Sequence, residues 1–237
     1  MTDQQHISSA YDRDLESIVT MIVRMGGMVE DAILQSSDAL ANRDVELAEK
    51  VRAGDKQIDA LEEQINEEAA RIIALRAPVS KDLRSILTVL RIAGALERIG
   101  DYAKNIAKRT SPLVEMGAIS GTDASLKRMA RSVQEMMKDT LDSYIKHDAE
   151  LAEDVRQRDH DVDQMYNALF REFLTFMMED PRQITACMHL HFVAKNIERM
   201  GDLTTNMAEQ VIYLVTGEMP DEDRPKGDKT SYMSELN

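Results

Sequence analysis

The chain has 237 residues and a formal net charge of −14, with 43% hydrophobic and 30% charged residues, no tryptophan and 5 prolines. Such an acidic surface argues against nucleic-acid binding and against docking on an anionic membrane, and no apolar run is long enough to span a bilayer. Because the sequence is rich in Ala, Leu, Ile, Met, Glu and Arg, which favour helices over sheets, we expect an all-α protein with no nucleic-acid partner and no membrane insertion.

Two further features indicate the cell compartment. The opening stretch MTDQQHISSAYDRD lacks the basic and apolar regions of a signal peptide. Cys187 is the only cysteine, which excludes an internal disulfide and a thiolate-rich zinc site. We therefore expect a cytoplasmic protein.

Apolar residues that recur with a helical period predict six helices. The expected helices span roughly residues 14–42, 45–75, 80–109, 125–147, 149–178 and 181–215. The second and third are separated at RAPVS, because Pro78 has no N–H to donate and disfavours helix in the residue before it. The sixth has Asp180 as an N-cap and Pro181 at its first position.

The six predicted helices form two copies of a three-helix unit. DVELAEKVRAGDKQID at 44–59 aligns without a gap with DAELAEDVRQRDHDVD at 148–163, and nine of the sixteen positions are identical. We predict two tandem, similar three-helix bundles related by an internal pseudo-twofold repeat, each with its own core. The first covers 11–111, a linker covers 112–123, the second covers 124–216, and 217–237 is a disordered polar tail.

Each unit carries two acidic pairs with a spacing of four residues. They are Asp55 with Asp59 and Glu97 with Asp101 in the first unit, and Asp159 with Asp163 and Glu198 with Asp202 in the second. Asp59 and Glu97 are each 19 residues from Pro78, so an antiparallel hairpin brings them level, roughly 28 Å from the bend. In the second unit the corresponding pairs share one midpoint, between Asp180 and Pro181. The sequence thus predicts one acidic cluster on each hairpin.

These clusters predict metal sites. The acids flank the apolar stripes of their helices, and like charges ~4–5 Å apart cost about 3–4 kcal/mol per pair at an effective dielectric of ~20, which a cation would relieve. Oxygen ligands suit Mg²⁺, Mn²⁺, Ca²⁺ or iron better than they suit a Cys/His zinc site. We expect divalent or trivalent ions, with iron, manganese, magnesium or zinc as the candidates. Glu62, Asn105 and Asn206 are possible additional ligands. In the second unit Tyr166 occupies the position equivalent to Glu62, so the second site has one potential ligand fewer.

Other interpretations of the acids remain open. They can be solvated or form ordinary salt bridges with Arg98 and Arg199, in which case the protein is a plain helical scaffold. A carboxylate-bridged di-metal hydrolase or oxidase is a further alternative, although no Glu-x-x-His pair is present, and neither is a GxxxxGK[ST] or GxGxxG phosphate loop. Among the histidines, His160 is the one that could join a site, because it follows Asp159.

Three stretches, DKQIDALEEQI, KDLRSILTVLRIAGALERIGDYAKNIAKR and NIERMGDLTTNMAE, resemble the PhoU family of bacterial phosphate regulators. The resemblance extends from Tyr11 to Val215. It implies two three-helix bundles, multinuclear metal sites at the repeated acidic motifs, and a non-catalytic cytoplasmic negative regulator of phosphate uptake and signalling. It also implies a homodimer that links the ATPase subunit of the phosphate ABC transporter to the sensor histidine kinase PhoR.

Overall fold

The computed structural model of the chain describes residues 2–116, 119 and 121–220, except for the side chains of 2–10 and 12. The described residues form six α-helices, a short 3-10 turn at Pro181–Gln183 and no strand, which confirms the all-α prediction. The helices are α1 (Thr2–Asn42), α2 (Val45–Arg76), α3 (Lys81–Val114), α4 (Thr122–Lys146), α5 (Ala149–Glu179) and α6 (Ile184–Thr216). Beyond residue 220, the predicted disordered tail lies outside the described residues.

The tandem repeat is visible in the turns that open α2 and α5. Arg43 and His147 end the preceding helices with φ of 56° and 54°, in the left-handed region. Asp44 then accepts a hydrogen bond from the Leu47 amide at 2.9 Å, and Asp148 accepts one from the Leu151 amide at 3.0 Å. Since an aspartate N-cap satisfies amides that lack a partner in the first turn, both units begin their second helix with the same local chemistry.

The connection between the units is shorter than the loop-like sequence at 111–123 suggested. Helix α3 continues through Pro112 to Val114, and α4 begins at Thr122. A proline so close to the end of a helix disrupts few of its backbone hydrogen bonds. Leu113 is buried and holds the last turn of α3 against the core.

The apolar core runs through both units, so the expectation of two separate cores is wrong. One contiguous cluster of buried side chains includes Ile22 of α1, Leu96 of α3, Met137 of α4 and Val211 of α6. It is continuous because α3 packs against α6 and α1 packs against α4, across the boundary between the repeats. Each three-helix unit therefore buries a second apolar face against the other one. None of the described helices is both long and apolar enough to cross a membrane.

Candidate metal centre

The first acidic cluster forms where α2 and α3 lie side by side. The ammonium group of Lys104 donates a hydrogen bond to Asp55 of α2 and another, at 2.6 Å, to Oδ1 of Asp101 of α3. One side chain thus contacts acids of both helices. The acidic pairs of α2 and α3 therefore lie level with each other, as their residue counts from Pro78 predict. The two hydrogen bonds to carboxylates raise the pKa of Lys104 above its ordinary value, so this cation stays charged.

Three more acids belong to the same cluster. Burial raises the pKa of Glu97, and the charges of Asp101, Asp59, Glu62 and Asp55 raise it further. Asp59 is exposed, but partial loss of hydration beside the cluster, followed by the charge of Asp55, raises its pKa as well. Glu97 therefore lies close enough to the other four acids to interact with their charges. Their mutual repulsion disfavours the fully ionised cluster.

The second cluster, on α5 and α6, is the more enclosed of the two. Asp159, Asp163 and Glu198 are buried and Asp202 is half-buried, whereas the first cluster has only Asp55 buried and has Asp59 exposed. Burying a carboxylate is costly unless it is paired. The acids of the second cluster therefore depend more strongly on their hydrogen-bond and ion-pair partners.

A lysine also serves the second cluster, from a different position in the motif. Lys195 Nζ lies 2.9 Å from Glu198 Oε1, and 4.8 Å from the ring centre of Tyr166, the residue that replaces Glu62 in this unit. Lys195 precedes its glutamate by three residues, whereas Lys104 follows Asp101 by three. The ordinary salt-bridge interpretation named Arg98 and Arg199. The described ion pairs use lysines instead.

The glycine inside each acidic motif permits the two helices of a hairpin to approach closely. A Cβ on Gly100 would lie 3.1 Å from Cδ1 of Ile58, and one on Gly201 would lie 3.1 Å from Oδ1 of Asp159 and 3.3 Å from Cγ1 of Val162. The small residue therefore keeps the acids of the facing helix near those of its own. Its role is packing, at the same place in both repeats.

The candidate metal ligands are of the type that a hard cation prefers. In this structure Lys104 provides the compensating charge in the first cluster. Oδ1 of Asp55 is buried without a hydrogen-bond partner, and all the candidate ligands are oxygens. Within the described part of the chain, no three carboxylate, imidazole or thiol groups converge closely enough to hold a metal ion. Since Lys104 binds both Asp55 and Asp101, it directs them toward its own ammonium group. Metal binding by these acids remains a prediction.

The additional candidate ligands are half-buried or exposed. Oε1 of Glu62 accepts a hydrogen bond from Asn66 at 2.6 Å, and Asn105 and Asn206 are exposed. His160 is also exposed and contacts Gln164 at 2.7 Å. These side chains are accessible to solvent and could contact a bound ligand.

Sequence reasoning missed the two lysines and the role of the glycines. A lysine three residues from an acid on the same helix is a pattern that the sequence does display. The pattern is common on exposed helices, however, so it does not by itself identify a cation shared between two helices. The close approach at Gly100 and Gly201 depends on the facing helix, which a single motif does not show.

Comparison with known proteins gives consistent matches along the chain. The PhoU domain matches residues 22–110 and again 126–211. The phosphate-specific transport system accessory protein PhoU homolog of Rhizobium meliloti (strain 1021) is 44% identical over 98% of this chain and 98% of its own length. The protein of the same name from Caulobacter vibrioides (strain NA1000 / CB15N) is 45% identical over 96% of this chain and 99% of its own length.

Solved structures agree with these sequence matches. The crystal structure of PhoU from Pseudomonas aeruginosa superimposes with a TM-score of 0.85 at 38% identity, covering 88% of this chain and all of that one. The phosphate transport system regulatory protein PhoU from Streptococcus pneumoniae gives a TM-score of 0.83 at 29% identity, covering 89% of this chain and 99% of that one. The likeness therefore includes both repeats.

Proposed function

This chain belongs to the PhoU family, and from that membership we propose that it is an accessory protein of a phosphate-specific transport system that restrains phosphate uptake and phosphate-starvation signalling. The observation that carries the proposal is 44% identity over 98% of both chains with a relative named as an accessory protein of such a system. Both repeats are matched, so the whole described fold supports the proposal, and not one motif alone.

We further propose that the protein acts by contact in the cytoplasm. In this scheme it links the ATPase subunit of the phosphate ABC transporter to the sensor histidine kinase PhoR, and it has no catalytic cycle. The net charge of −14 supports an encounter with basic surfaces on such partners, since complementary charge speeds docking and salt slows it. The names of the relatives, accessory and regulatory proteins, also favour an adaptor over a di-metal enzyme.

The acidic clusters are proposed as metal sites of this adaptor. Asp55, Asp59, Glu97 and Asp101 would hold the ion of the first unit, with Glu62 as a possible further ligand. Asp159, Asp163, Glu198 and Asp202 would hold that of the second. A bound hard cation would neutralise the clustered charge and so hold the two helices of a hairpin together. Lys104 binds two of the same carboxylates, so a metal ion must compete with this ammonium group. The two sites should therefore differ in affinity, because their lysines and their burial differ.

The regulatory proposal is tested by deleting the gene from its host and measuring a phosphate-starvation reporter in phosphate-rich medium. We expect the reporter to be expressed without the protein, to be silenced when the protein is restored, and to need the sensor kinase for its expression. Normal repression in the deletion strain would refute the regulatory role.

The metal proposal is tested independently on purified protein. Replacing Glu97 and Asp101 together by alanine should lower the metal content measured after purification without chelator, while the helical circular dichroism signal is kept. Exposed Glu63 and Glu67 of α2, replaced together, provide a matched control for two lost charges. Unchanged stoichiometry in the Glu97/Asp101 variant would refute the site. Hydrolase or oxidase turnover by the metal-loaded protein would instead favour the di-metal enzyme.

A further inference from the structure

A basic cleft lies between α3 and α6, on a chain that is otherwise acidic. It has a volume of about 460 Å³. We call it the α3–α6 cleft; the polar residues that line it are Asn105, Lys108, Arg109, His189, Asn196 and Arg199. No aspartate or glutamate lines it within the described part of the chain. With 43 acidic residues against 29 lysines and arginines, a cleft with three cations and no acid departs from the rest of the surface.

The three cations of the cleft are not neutralised by carboxylates. Many cations elsewhere in this structure pair with acids, as Arg71 and Arg76 do with Asp14. Among the described residues, Lys108, Arg109 and Arg199 form no such ion pair. Three cations that line one cleft repel one another, and a bound anion would offset that repulsion. The positive charge of the cleft therefore favours the binding of a negatively charged ligand.

Arg109 is held in place by two side chains of α6. Its Nη1 lies 3.1 Å from Nδ1 of His189, and its guanidinium carbon lies 4.6 Å from the ring centre of Phe192. A guanidinium group can only donate, so Nδ1 accepts and the imidazole is neutral with its proton on Nε2. Burial and then the charge of Arg109 lower the pKa of His189, in agreement with that neutral form. Such fixing reduces the entropy that Arg109 would lose when it binds a ligand.

We propose that the α3–α6 cleft binds a phosphoryl group, either as inorganic phosphate or as the phosphate end of a nucleotide. Guanidinium groups match the oxygens of phosphate in a bidentate manner, and lysine adds a point charge. Three cations suit a doubly charged anion better than a single carboxylate. The side-chain oxygens of Asn105 and Asn196 can accept from the protonated oxygen of hydrogen phosphate, which sulfate lacks. This inference rests on the cleft alone, and it does not depend on the proposed regulatory role or on metal binding.

The test is calorimetric titration of the full chain, after chelator treatment, with sodium phosphate, ATP and sodium sulfate in separate experiments. We expect phosphate or ATP to bind and sulfate to bind more weakly. Tighter binding of ATP than of phosphate would assign the site to nucleotides, and phosphate binding without ATP binding would assign it to the free ion. Binding should weaken as chloride is added, because salt screens charge. Absence of binding by both phosphate and ATP, or equal affinity for sulfate, would overturn the proposal.

Substitutions locate the binding site. Arg109→Gln and Arg199→Gln should each weaken binding of the preferred anion by about tenfold or more, as expected when a charge-assisted hydrogen bond is lost. Arg98→Gln is the matched control, because Arg98 occupies the position in the first repeat that Arg199 occupies in the second, and Arg98 does not line the cleft. Arg199 is exposed, so its variant should fold even if Arg109→Gln does not. Wild-type affinity in Arg199→Gln, or an equal loss in Arg98→Gln, would refute the assignment to this cleft.

Discussion

Lys104 gives the sharpest test of the candidate metal centre, through the substitution Lys104→Met. The change removes the ammonium group but keeps an unbranched apolar stem of similar reach. The side chain of Lys104 is 36% exposed, whereas that of Asp55 is 6% exposed. The loss therefore leaves a nearly buried carboxylate without its cation, near Asp59 and Glu97, whose charges already repel it.

The magnitude follows from these contacts. A hydrogen bond to a charged group contributes about 1.5–3 kcal/mol, and leaving a buried charge without its partner costs more. Because water screens an ammonium group that is one-third exposed, we discount the two contacts together to about 2 kcal/mol. The metal-free variant should lose this much free energy of unfolding. A metal ion no longer has to displace the lysine, so the affinity for Mn²⁺ should rise roughly 10- to 30-fold, at 1.4 kcal/mol per factor of ten.

Two measurements on one preparation check this prediction. Urea unfolding of chelator-treated protein gives the loss of stability, and titration with Mn²⁺ gives the affinity. Saturating Mn²⁺ should restore stability in the variant, since a ligand that binds only the folded state stabilises it. Lys108→Met is the control, because Lys108 lies one turn further along α3 and has no carboxylate partner among the described residues. If stability falls while the affinity for Mn²⁺ stays the same or weakens, Lys104 forms an ordinary salt bridge and the competition is refuted.

Three further predictions concern charge, packing and cooperativity. Because its surroundings raise the pKa of Glu97, Glu97→Gln should stabilise the metal-free protein at pH 7. The gain in stability should disappear below the ordinary glutamate pKa, where the residue is protonated in both the folded and the unfolded state. Thermal melts across pH test this, with exposed Glu67→Gln as the control, and a gain that does not change with pH would contradict it. Gly201→Ala should lower the free energy of unfolding by about 1 kcal/mol, because the contacts with Asp159 and Val162 outweigh the better helix propensity. Gly94→Ala, with open space around its Cβ, should raise it by about 0.5–1 kcal/mol in the same urea titration, and similar effects at both sites would refute the packing role. Since one core joins both units, calorimetry should show a single transition with equal calorimetric and van't Hoff enthalpies, whereas two separated transitions would indicate independent bundles.

The sequence alone predicted the helices, the tandem repeat and the level at which the acids meet. Helix periodicity is a local property, and the reach of a hairpin depends only on residue counts from its bend at 1.5 Å per residue. Asp59 and Glu97 are each 19 residues from Pro78, and these counts are enough to predict that they belong to one cluster. The same arithmetic could not predict how deeply each cluster is buried.

Only the tertiary structure decided which cation serves each cluster and whether the two units share a core. Lys104 follows its acidic motif in the sequence, whereas Lys195 precedes the corresponding motif. The repeat in the sequence therefore does not predict both lysines. The close helix contacts at Gly100 and Gly201, and the packing of α3 against α6 that merges the cores, depend on surfaces far apart in the chain. Helix periodicity specifies which face of a helix is apolar, but the partner of that face is determined by long-range packing.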